Sequence, residues 1–289
     1  MLSGFSKHGQ HAERRMTEPG GPSVPSSSFV PDAQILSAQP QGGESRPRSY
    51  GPLAAFLYGM VFFWVAQFGA AVAIIIALRL SGWGQDRIVQ WLEQAIIGQF
   101  MFILLAEAAT VYGIYWALKR RDLGMRFIGW NRLQLRYVWL ALAGFGVYFV
   151  SYIVVVVVMA QLVPSLNIEQ EQQVGFQGAS SAKDLALTAI SLVILPPLAE
   201  EILFRGFLFT GFRTAWKFLP AAIVTSVLFA VGHLQFGSGA PLLWVAAIDT
   251  FVLSLVLCYM REKTGSLWPS IFIHAIKNGL AFSALFLLK

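Results

Sequence analysis

Seven long apolar runs, separated by short polar stretches, occupy the chain from residue 52 onward, at about 52–78, 95–118, 137–163, 185–212, 219–235, 241–260 and 268–288. A helix needs about 20 apolar residues to cross the hydrocarbon of a bilayer, and most of these runs reach that length. Lipid offers no partners to backbone polar groups, so such runs close their hydrogen bonds internally as helices. The pattern predicts an all-α, polytopic membrane helical bundle of about seven transmembrane helices. Between the first two runs, Ile88, Val89, Trp91 and Leu92 alternate with polar residues, which suits a short interfacial helix. The fourth run contains Pro196-Pro197, a pair that removes two backbone donors and frees carbonyls for another partner.

Composition extends this picture at the N-terminus. Residues 1–50 are rich in Ser, Pro, Gly and Gln and hold too few large apolar residues for a core. They read as a disordered cytoplasmic tail without the apolar segment of a signal peptide. Residues 51–184 then hold the N-terminal transmembrane helices and loops, and residues 185–289 the helices that carry candidate chemistry.

The net charge of +6 does not point to a nucleic-acid partner. The basic residues sit in loops between apolar runs, above all Lys119, Arg120, Arg121, Arg126, Arg132 and Arg136, as expected of loops on the cytoplasmic face. Arg46 and Arg48 likewise favour a cytoplasmic N-terminus. The expected setting is a bacterial plasma (inner) membrane, with membrane lipids as partners. The single cysteine, Cys258, excludes an intrachain disulfide and cysteine-rich zinc sites.

Ionisable groups inside apolar runs are costly, and each is a functional-site hypothesis by default. Here they are Glu107, Glu200, Glu201, Arg205, His233, Asp249, His274 and Lys277, joined by the amide of Asn278. Glu201 and Arg205 stand at i, i+4 and can neutralise each other. Glu200 points about 100° away round the helix and is left available. His274 and Asn278 share one face of the last run. A carboxylate beside an imidazole can take a proton from water and pass it to a leaving amine, while an imidazole with an amide can donate to an oxyanion. The bland reading treats Glu201–Arg205 as a helix lock, the histidines as hydrogen-bonded packing residues, and Lys277 and Asp249 as a structural or supporting pair. Glu200, His233 and His274 would also suffice for zinc or a similar ion, although no His-Glu-x-x-His stretch is present.

In order along successive apolar runs stand Glu200-Glu201-x-x-x-Arg205, Phe229-x-x-x-His233 and His274-x-x-x-Asn278. This series resembles the CPBP family of intramembrane proteases, which includes CAAX prenyl endopeptidases and bacterial abortive-infection or bacteriocin-immunity proteins. The resemblance covers about residues 185–285. It implies an endopeptidase in which Glu200 and His233 activate water and His274 and Asn278 form the oxyanion pocket. It leaves metal dependence open between a zinc-type and a glutamate-dependent reaction. It also implies a protein or peptide substrate, a prenylated C-terminus being the family's best-known target. The alternatives are a non-catalytic immunity-type scaffold and a proton- or ion-coupled transporter. One tension accompanies convergence of the two histidines. His233 lies about 13 residues into its run and His274 about six, a depth difference of roughly 10 Å at 1.5 Å per residue.

Overall fold

A computed structural model of the protein describes residues 49–167, 174–235 and 242–288, and all of these belong to one compact unit spanning residues 31–289. The tail expected over residues 1–50 lies outside the described residues except for its last two. Of those, Tyr50 is buried, with its hydroxyl donating to the Phe207 carbonyl at 3.0 Å.

The described residues form helices and connecting turns with no strand. In chain order they are α1 (Pro52–Leu80), α2 (Gln85–Gln94), α3 (Ile96–Lys119), α4 (Arg136–Leu162), α5 (Ala182–Arg213), α6 (Phe218–Val231), α7 (Trp244–Thr264) and α8 (Trp268–Leu287). Six of them, α1, α3, α4, α5, α7 and α8, are long and apolar enough to cross a membrane. The short helix α2 matches the expected interfacial segment. It buries Ile88 on one side, and the Arg87 guanidinium lies over the Trp83 ring at 3.8 Å.

The run at about 219–235 is the departure. Helix α6 has only 14 residues and so rises about 21 Å, short of a hydrocarbon core about 30 Å thick. Its start lies beside the end of α7, where the Phe218 and Tyr259 rings stand 6.4 Å apart. At its other end the Leu243 amide donates to the Leu234 carbonyl. The two helices therefore run antiparallel, and the end of α6 lies level with the start of α7.

Helix α5 is the interior element, touching α1, α3, α6, α7 and α8. In α5 and α7, 44% of the most apolar stretch is buried inside the protein, against 11–17% in α1, α3 and α4, so the latter three shield the core from lipid. The reason is visible in α1, whose buried face is mostly small (Ala55, Gly59, Ala66, Ala70) while Leu53, Leu57, Val61, Trp64 and Phe68 point outward. Apolar tails solvate large side chains as well as a protein interior does, so small residues collect where backbones meet. At Gly211 a Cβ would lie 2.3 Å from that of Ala55, which is why α1 and α5 can cross so closely.

On the side of the basic loop, Asn131 Nδ2 donates to the Gly265 carbonyl, and Trp268 Nε1 donates to the Asn131 carbonyl. Gly265 itself takes φ +65° and ends α7, a left-handed conformation that glycine adopts without steric cost. At the opposite end of the bundle, Ser181 and Asp184 form a reciprocal cap that starts α5.

Candidate active site

The backbone of α5 departs from regular α geometry on both sides of its carboxylates. Residues Ile190–Ile194 and Ile202–Leu208 are π-helical, and Leu195–Glu201 between them is α-helical. The first π segment follows from the prolines. The Leu192 carbonyl would take an N–H from residue 196 in an α-helix or from residue 197 in a π-helix, and both are proline. Asn278 fills that gap, its Nδ2 donating to the Leu192 carbonyl at 2.9 Å. A carbonyl freed in α5 thus fixes a side chain on α8.

Glu201 and Arg205 form the expected ion pair, fully buried, with Arg205 Nη1 donating to Glu201 Oε1 at 2.9 Å. The same oxygen accepts from His274 Nδ1 at 3.0 Å. Glu201 therefore does more than lock its helix, because it also orients His274 and assigns the proton to Nδ1. The other nitrogen of that ring, Nε2, faces Glu200 Oε2 at 3.8 Å, beyond direct hydrogen-bond contact. Glu200 Oε2 is buried and makes no hydrogen bond among the described residues.

His233 lies two residues beyond α6. Its Nδ1–H donates to the Phe229 carbonyl at 2.8 Å, which leaves Nε2 as its free atom. The Phe229 ring stands 4.6 Å from the His233 ring and 5.7 Å, edge-on, from the His274 ring. Arg205 covers the same phenyl ring at 4.3 Å. Both imidazoles thus pack against one aromatic side chain. The difference in residue count does not keep the two histidines apart, since both rings meet the Phe229 ring.

Asp249 pairs with Lys277 at 3.1 Å, as two supporting polar residues would, and also accepts a hydrogen bond from the Tyr148 hydroxyl of α4. Tyr148 is not among the polar groups that the apolar runs single out. A tyrosine in such a run reads as an interfacial belt residue, and only the packing of α4 against α7 reveals its partner.

A bound metal needs several donors that converge on one point. Among the described residues, no three His, Cys, Asp or Glu side chains gather closely enough to hold an ion. The set expected from the sequence, Glu200, His233 and His274, therefore does not form a ready three-donor site. Both imidazoles direct Nδ1 to protein acceptors, which leaves each Nε2 open, and Glu200 with His274 is the close pair.

Residues 182–280 match the family model described as "Type II CAAX prenyl endopeptidase Rce1-like". That segment contains each of Glu200, Glu201, Arg205, His233, Asp249, His274, Lys277 and Asn278. An Escherichia coli protein described as "Uncharacterized 24.3 kDa protein" is 35% identical over 106 residues, which is 35% of this chain. The match spans 46% of the length of that protein. No solved structure matches the chain.

Proposed function

From the match of residues 182–280 to the Rce1-like type II CAAX prenyl endopeptidases, we propose that this multi-pass membrane protein is an intramembrane endopeptidase. It hydrolyses a peptide bond with water, in the manner of CAAX C-terminal processing. The observation that carries this reading is the Glu200–His274 gap. A buried carboxylate oxygen without a hydrogen bond faces a free imidazole nitrogen at 3.8 Å, a separation suited to one shared water or substrate oxygen.

Glu200 takes a proton from water, and the hydroxide adds to the carbonyl carbon to give a tetrahedral oxyanion. Glu200 then passes that proton to the leaving nitrogen as the C–N bond breaks. Neutral His233 and His274 each have Nδ1–H tied up, so both present an acceptor at Nε2. His274 faces Glu200 across the gap proposed to hold the water, and His233 meets the same Phe229 ring as His274. Asn278 uses one Nδ2–H on Leu192 and keeps the second for the oxyanion, joined by His274 whenever its Nε2 is protonated.

The test uses the purified full chain in lipid nanodiscs and a farnesylated CAAX peptide. Glu200→Gln lowers kcat by a factor of about 100 or more, the usual contribution of a positioned acid–base group. Cleavage at the parent rate by that variant overturns the proposal. Parallel reactions with a chelator distinguish a zinc-dependent reaction, which stops, from the glutamate-dependent one written here, which continues.

A further inference from the structure

A cavity of about 460 Å3 lies between α3 and α5 and ends against the segment that carries Glu200. Leu104 and Tyr112 of α3 and Leu195, Leu198 and Ala199 of α5 form much of its wall. Glu107 is the one charged side chain among its lining residues. It sits halfway along α3, and its charge lies within electrostatic range of Glu200.

Two other carboxylates inside the bundle have cationic partners. Glu201 has Arg205, and Asp249 has Lys277. Among the described residues no hydrogen bond or ion pair reaches Glu107. Its neighbour Glu200 carries the same sign and cannot neutralise it. Pockets that bind small groups share this composition, with apolar walls and few polar anchors, and the volume lies in their usual range of about 300–1,000 Å3. An uncharged hydrocarbon occupant would satisfy the walls and leave the carboxylate without a partner. An occupant with an apolar stem and a terminal cation satisfies both.

We infer that the cavity between α3 and α5 is a specificity pocket for a lysine side chain of the substrate peptide, with Glu107 as its anchor. The inference rests on the endopeptidase reading for the substrate and on the cavity alone for the ligand chemistry. The four-carbon stem of lysine lies along the apolar wall, and its compact ammonium meets the carboxylate. Because Ala199 lines the pocket, a lysine seated there is next to Glu200, so the bond it selects is close to the reacting water. Glu107 is a binding residue here and takes no part in proton transfer.

The test has two arms. In the first, thermal unfolding of the full chain in maltoside micelles is followed with n-nonylamine or with nonan-1-ol. The amine raises the unfolding temperature more than the alcohol does, and Glu107→Gln reduces the amine effect to that of the alcohol. Leu104→Trp, which fills the cavity, reduces both. Equal effects of amine and alcohol on the parent, or an amine effect unchanged in Glu107→Gln, overturn the pocket. In the second arm, peptides differing by one lysine or norleucine beside the scissile bond are compared. The parent prefers lysine by about tenfold or more in kcat/KM, the scale of a desolvated charge pair, and Glu107→Gln loses that preference through KM. Amine binding without peptide cleavage refutes the endopeptidase reading and keeps the pocket. Cleavage without amine discrimination does the reverse.

Discussion

Oxygen Oε1 of Glu201 accepts from both Arg205 and His274, so one buried carboxylate couples stability to the orientation of a ring at the candidate site. Glu201→Leu leaves the Arg205 guanidinium buried without a counter-charge, a change that destabilises by about 3–5 kcal/mol. Replacing both partners, Glu201→Leu with Arg205→Met, removes the charge problem and recovers most of that loss in thermal unfolding. Peptide cleavage does not recover, because His274 Nδ1 has lost its acceptor. Full activity in the double variant would show that the pair only holds the helix together. The i, i+4 spacing made this pair legible in sequence. Its third member was not legible, since His274 lies 73 residues away.

At the scale of the element, α5 is shaped by Pro196-Pro197. The two missing donors leave one carbonyl that an intrahelical bond cannot reach, and α8 supplies the amide that reaches it. Asn278→Ala orphans the Leu192 carbonyl and costs about 1–3 kcal/mol, measured by thermal unfolding. In a Pro196→Ala background an N–H returns at position 196, and the same Asn278→Ala change costs measurably less. Equal costs in both backgrounds would mean that the carbonyl is satisfied in another way. The proline pair announced a disturbed helix. It could not announce the second π segment, Ile202–Leu208, which lies after the carboxylates and contains no proline. A π turn inserts an extra residue, so the face of the helix beyond it shifts by about 100° from where regular spacing would put it.

For the whole molecule, three lipid-facing helices surround an interior built on α5 and α7, in which Glu201 pairs with Arg205 and Asp249 with Lys277. The loop after α3 carries the densest positive charge, and the positive-inside tendency predicts it on the cytoplasmic face. A topology assay follows from the single, fully buried Cys258, which should give little background with a membrane-impermeant maleimide. A cysteine introduced at Arg132 is labelled in inside-out vesicles and protected in intact cells. One introduced at Ser180 shows the opposite pattern. Reversal of both would invert the orientation of the bundle.

Hydrocarbon leaves the backbone few ways to satisfy its polar groups, and that constraint is local. For that reason the apolar runs alone determined the all-helical fold and most of its helix boundaries to within a few residues. The same local logic marked the costly polar residues and the neighbouring Glu201–Arg205 pair. Contacts between helices depend instead on where α6 stops, how the π segments turn α5, and which backbones come close enough to cross. Those features set Glu200 against His274, Asn278 against Leu192, and Phe229 against both imidazoles. Each joins groups through packing that no periodicity in the chain encodes, so only the tertiary structure could decide them.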